Sequence, residues 1–184
     1  MKSILDFVRS AIHRPDGPDA SEEGDTATVR KIVGALEDME PERARYVAAF
    51  AYLLGRVAHA DLDVGRRETR EMEDLVRSFG ELPQAQAILV VEIAKSQNRL
   101  FGGTEDYQVA REFKQLSTPL ERRELLDCLF AVSAADDAIT GDEEAQLRQI
   151  AEELGFSHRE FVEVRSRYND KRSVIQRLRK PSTG

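Results

Sequence analysis

The sequence predicts an all-α protein, a single helical domain built from a duplicated three-helix unit. Three observations predict it. Apolar residues recur at helical spacing in one segment after another. No segment shows sustained alternation of apolar and polar residues bounded by hairpin turns. The pattern around Leu54 returns around Leu129, a shift of 75 residues. Composition agrees. The 184 residues include only 11 Gly and 6 Pro and no Trp, with 41% hydrophobic and 33% charged residues, as in a soluble globular chain.

The elements follow in order. Ile4, Phe7, Val8 and Ile12 share one helical face, either a short helix docked on the domain or an interfacial helix lying on a membrane. "HRPDGPDASEEGD" (13–25) reads as a flexible linker, so residues 1–25 form an N-terminal helix and linker. The domain is expected over 26–168. Val29, Ile32, Val33, Leu36 and Met39 make its first stripe. Pro41 suits the first position of a helix through "YVAAFAYLLGRVAHA", which is apolar on most faces and therefore central. Met72, Leu75, Val76 and Phe79 form the next stripe, with Gly80 as its C-cap. Pro83 opens a further helix through "AQAILVVEIAKS". Its "AILVV" could pass for a buried strand, but the flanking residues are helix formers. Thr104 can cap a helix holding Tyr107, Val109, Ala110, Phe113 and Leu116.

The second half repeats the plan. Thr118 and Pro119 are an N-cap and a first-turn proline before "LERRELLDCLFAVSAAD". Thr140 and Glu143 have capping-box spacing, as do Ser157 and Glu160. Leu147, Ile150, Ala151 and Leu154 form the stripe between them, closed by Gly155. The repeat units span about 41–97 and 118–168, and residues 169–184 form a basic C-terminal tail. Neither unit can cover its own apolar helix, so the two are expected to bury each other in one integrated domain.

Each unit carries an acidic corner between its first two helices, with the pattern Ala-Asp-x-x-[Val/Ile]-x-x-x-Glu. In the first unit these residues are Asp61 and Glu68, supplemented by Asp63. In the second they are Asp136 and Glu143, supplemented by Asp137, Asp142 and Glu144. Clustered carboxylates at a loop suit a hard divalent cation, Ca²⁺ or Mg²⁺. The competing reading is capping: acids belong in the first turn of a helix, and an Asp can accept from turn N–H groups. An EF-hand is excluded. Counting from Asp61 or Asp136, the twelfth position is Met72 or Leu147, neither of which supplies the required Glu.

This doubled motif, clearest in "LLDCLFAVSAADDAITGDEEAQLRQIAEELGFSHREF", resembles the TerB-like tellurite-resistance family, whose helical domain also occurs at the N-terminal side of some DnaJ-type co-chaperones. The resemblance covers about 29–168. It implies an all-α domain, acidic positions that chelate a divalent metal, and association with stress-response complexes at the inner membrane. Carried over by residue, those positions are Asp61, Glu68, Asp136 and Glu143. The family usually has Gly straight after the Asp, where this chain has Leu62 and Asp137. Arg66 and Arg67 also crowd the first corner, so the second is the better candidate.

Other chemistries are weaker. Cys128, the one cysteine, lies in "LLDCLFAV" and is expected to be a buried, inert thiol. His13, His59 and His158 are scattered, and no Ser-His-Asp or Cys-His arrangement can be assembled. "FGGTED" lacks the lysine of a phosphate loop. A hydrolase using Asp136 and Glu143 would need an enclosed cleft, so the chain is expected not to be an enzyme. A net charge of −7 disfavours a general nucleic-acid binder. "MKSILDFVRSAI" is too short and too charged for a secretory signal, so the expected location is the cytoplasm, either free or at the periphery of a membrane. The tail carries Arg165, Arg167, Lys171, Arg172, Arg177, Arg179 and Lys180, to pair with the acidic body or to touch an anionic surface. The expected function is a stress-response module that binds a divalent cation or a protein partner through its acidic loops. The alternative is a scaffold at a membrane or on another protein, with no metal site.

Overall fold

The computed structural model describes residues 30–58, 66–95, 106–135 and 138–179. The N-terminal segment and linker, Thr104 and the loops around Asp61 and Asp136 lie outside these residues. Within them the protein is all-α, with no β-strand beyond one isolated bridge. In chain order, α1 covers residues 30–37, α2 Pro41–Val57, α3 Arg66–Phe79, α4 Gln84–Lys95 and α5 Asp106–Leu116. Then come α6 Pro119–Ala135, α7 Gly141–Leu154, α8 His158–Ser166, a 3₁₀ turn Asn169–Lys171 and α9 Ser173–Arg179.

Helix α2 is the hub. Its start is set by Pro41, which needs no N–H partner, and by Glu40, whose carboxylate accepts from Glu42 N at 3.0 Å and Arg43 N at 3.1 Å. Ala48, Ala49, Ala51 and Gly55 keep the helix slim, so α4, α5, α6 and α7 all pack against it. Tyr46, Phe50 and Phe113 meet between α2 and α5, with Tyr46 and Phe113 ring centroids 5.0 Å apart. Burying each such side chain contributes roughly 1.5–3 kcal/mol. "AILVV" lies inside α4, where Leu89, Val90 and Val91 are buried among α2 and α3.

The second half starts and stops as the sequence dictates. Thr118 and Glu121 close a capping box: Glu121 N donates to Thr118 Oγ1 at 3.2 Å, and Thr118 N donates to Glu121 Oε2 at 2.7 Å. On α7 the buried residues are Leu147, Ile150, Ala151 and Leu154, and Gly155 closes the helix with φ of 87°. Three helix-face expectations need correction. Gly80 is not the left-handed residue after α3; Glu81 takes the positive φ, 50°. Gly80 is required for another reason: a Cβ there would sit 2.6 Å from Val76 O and 2.8 Å from Phe50 Cζ. Phe79 and Tyr107 are not core residues, being 39% and 66% exposed. Each lies at a helix end, Phe79 as the last residue of α3 and Tyr107 as the second of α5.

Charged side chains tie the elements together. Arg45 Nε meets Glu112 Oε1 at 2.7 Å between α2 and α5. Arg56 Nη1 meets Glu153 Oε2 at 2.6 Å between α2 and α7, with both side chains at most 10% exposed. Arg122 Nη1 donates to Leu154 O at 3.2 Å, satisfying a carbonyl at the end of α7.

Candidate functional site

The second corner is built from the end of α6, residues 138–140 and the start of α7. Thr140 sits in extended backbone, φ −73° and ψ 169°, which turns its hydroxyl back over the first turn of α7. Glu143 N donates to Thr140 Oγ1 at 3.2 Å. In return, Thr140 N and Oγ1 donate to Glu143 Oε2 at 2.8 and 2.7 Å. Glu143 therefore commits one carboxylate oxygen to its own helix. Asp142, one residue earlier, is exposed on the first turn.

Glu144 belongs to a different assembly. Arg172 approaches it as a fork, Nε to Oε2 at 2.8 Å and Nη2 to Oε1 at 2.9 Å. Arg165 from α8 adds Nη1 to Oε1 at 3.0 Å. Burial alone would raise the Glu144 pKa, but the hydrogen bonds and charges of Arg172 and Arg165 outweigh it and hold the carboxyl below its usual value. Glu144 is thus neutralised within the protein and is not a ready ligand, although it supplements the acidic run in sequence.

The chain after α8 reaches this corner through the backbone. Ile139 N donates to Lys171 O at 2.7 Å, and Ser173 N donates to Ile139 O at 2.9 Å, a parallel bridge. Tyr168 anchors the approach. Its ring stacks on Phe130 with centroids 5.3 Å apart, and its hydroxyl donates to Asp127 O at 3.1 Å. Burial pushes that phenol up to about 12. Arg167 Nη1 pairs with Asp127, 2.7 Å from Oδ2. Three basic residues of the C-terminal run, Arg165, Arg167 and Arg172, are therefore paired with acids of the helical body.

The predicted ligands divide accordingly. Asp142 and Glu143 are together at the start of α7. Glu68 stands in the first turn of α3. Asp61, Asp63, Asp136 and Asp137 lie outside the described residues, as does His59. Among the described residues, no three His, Cys, Asp or Glu side chains gather as a metal site. Asp142 and Glu143 offer oxygen donors suited to Ca²⁺ or Mg²⁺, but as a pair they fall short of the six to eight oxygens Ca²⁺ takes. Cys128 is buried, and burial pushes its thiol pKa up, away from reactivity. His158 is exposed at the first position of α8.

Sequence reasoning missed the Arg165–Glu144–Arg172 cluster. Its partners lie 21 and 28 residues from Glu144, outside any helical spacing. The one local hint was Arg148 four residues after Glu144, and that contact is the loosest, at 4.0 Å.

No curated protein and no solved structure matches the chain. One family model does: that of the tellurite resistance protein TerB, over residues 47–166. This span opens in the hub helix α2, takes in both acidic corners and ends with α8. With well over half of its length inside that match, the chain belongs to the TerB family.

Proposed function

We propose that the protein is a non-catalytic module of the tellurite-resistance type whose second acidic loop binds a divalent cation, Ca²⁺ or Mg²⁺. Family membership supports the module. The observation that carries the site is the start of α7. There a capping box holds Glu143 in place, and Asp142 is exposed beside it. Hard cations favour such oxygen donors. Asp136 and Asp137 would complete the set, and Glu144 stays with its arginines. The first corner, with Asp61, Asp63 and Glu68, takes part more weakly because Arg66 and Arg67 oppose a cation there.

One observation favours a second reading, a protein-binding or membrane-peripheral scaffold in the cytoplasm with no metal. Glu143 already commits one carboxylate oxygen, and Glu144 both of its own, to internal bonds. The N-terminal segment and basic tail would then carry the contact. Among the described residues no helix is long and apolar enough to cross a membrane.

Calorimetry separates the two. The full chain is titrated with Ca²⁺, Mg²⁺ and Zn²⁺, alongside Asp136→Asn and Asp142→Asn. Binding heat with Ca²⁺ or Mg²⁺ that both substitutions weaken at least tenfold is expected. Absence of heat in the wild type, with retention on anionic vesicles, removes the cation and leaves the scaffold.

A further inference from the structure

Two large apolar side chains face solvent where α3 finishes and α6 begins. Phe79, the last residue of α3, is 39% exposed, and Leu120, in the first turn of α6, is 65% exposed. Helices α3 and α6 pack on each other. Carboxylates lie beside both side chains. Glu81 follows Phe79 by two residues, and Glu124 stands one turn beyond Leu120 on the same side of α6. These acids are near enough to feel one another: burial first, then the charges of Glu81 and Glu121, raises the Glu124 pKa. Glu121 is held in its cap, where Thr118 N and Oγ1 donate to Oε2. Among the described residues no basic side chain pairs with Glu81 or Glu124. The patch therefore lacks two things, cover for its apolar groups and positive charge for its acids.

We propose that residues 1–14 of the same chain dock on this patch, laying Ile4, Phe7, Val8 and Ile12 over Phe79 and Leu120 and bringing basic side chains to Glu81 and Glu124. The segment matches the patch in both respects. Its four apolar residues share one face at helical spacing, and it carries Lys2, Arg9 and Arg14 against the single acid Asp6. The long basic side chains can lie along apolar surface with their charges at its edge. The tether is long enough. Fifteen residues, 15–29, precede α1. A chain of that length reaches about 50 Å when extended, against a radius of gyration of about 15 Å for a domain of this size. Such a tether also holds the segment at a local concentration on the order of millimolar, so a weak contact is enough to seat it. Other occupants fit less well. A second copy's patch would set acid against acid. In the basic C-terminal run, Arg165, Arg167 and Arg172 are already paired with Glu144 and Asp127. The docking stands whether or not the second acidic corner binds a cation.

Paramagnetic broadening on the full chain tests it. A nitroxide is attached at Ser10→Cys, the buried Cys128 being closed to the reagent. Ala135, at the far end of α6 and about 22 Å along the helix from Leu120, serves as the reference. The amides of Phe79, Leu120 and Glu124 are expected to lose at least threefold more intensity than that of Ala135. Glu81→Lys combined with Glu124→Lys should remove the difference, and Leu120→Ser should reduce it. These side chains are at least partly exposed, so the helical circular dichroism should persist. Equal broadening of all four amides in the labelled wild type overturns the docking, and so does a difference that both sets of variants leave unchanged. A labelled chain mixed with an isotope-enriched, unlabelled one gives the last outcome: broadening of the same amides in the mixture assigns the patch to a second copy and overturns docking within the chain.

Discussion

Single residues show how little of the chemistry is local. Glu144 is one of three acids in the first turn of α7, and its role is set by arginines from two other segments. Its folded pKa lies below the ordinary carboxylate value. Its pairing therefore contributes stability above the unfolded pKa, about 4.3, and loses it as pH falls through the lower folded value. Glu144→Gln should lower stability near pH 6 by about 2 kcal/mol, leaving two guanidinium groups without their counter-charge. Urea midpoints of wild type and variant should converge as pH drops below 4. Gly80 is a second case. Gly80→Ala drives a Cβ into Val76 O and the Phe50 ring and should cost about 1–3 kcal/mol, read as a lower urea midpoint at unchanged slope. Ser133 works in the opposite direction. Its Oγ is buried with no hydrogen-bond partner among the described residues. Ser133→Ala relieves that desolvation and should raise the midpoint, by about 1 kcal/mol in stability.

At the scale of the element, the helix starts carry the structure of the second half. Thr118, Thr140 and Ser157 each pair with a Glu three residues on, so α6, α7 and α8 begin at residues fixed by their own side chains. Thr140→Ala should cost about 1 kcal/mol and, more specifically, free Glu143 Oε2 from its cap. Thermal melts read the first effect. If a cation binds at this corner, calorimetry on the same variant reads the second as a change in affinity. These starts were legible in the sequence, because a capping box is a contact between residues three apart. The ends were less so. Gly155 closes α7 in the left-handed region, as expected, while the matching Gly80 does not. Gly80 is instead set by close approach, with Phe50 of another helix lying against it.

Across the whole molecule, helix order in the two halves runs in parallel, α2–α3–α4 and α6–α7–α8, with α3 and α7 both 14 residues long. Their surroundings do not match. Helix α2 is enclosed by four helices and joined to α7 through the Arg56–Glu153 pair, whose side chains are 3% and 10% exposed. Arg56→Met removes one partner of a buried pair and should cost roughly 3–5 kcal/mol, measured by chemical denaturation. A cost below 1 kcal/mol would show that the pair does not hold α2 to α7.

By itself the sequence determined the helical class, the buried hub "YVAAFAYLLGRVA", the capped starts of α6, α7 and α8, and kinship with TerB. The first three rest on periodicity or on contacts within a few residues, which a linear chain displays directly, and the kinship rests on the resemblance of the doubled acidic motif to that family. Only the tertiary structure decided which acids are spoken for. Charge in a sequence carries no address. Glu144 met Arg165 and Arg172 because α8 and the segment that follows it bring both guanidinium groups to the start of α7, and Phe79 and Tyr107 lie outside the core although they fall on the apolar stripes of their helices.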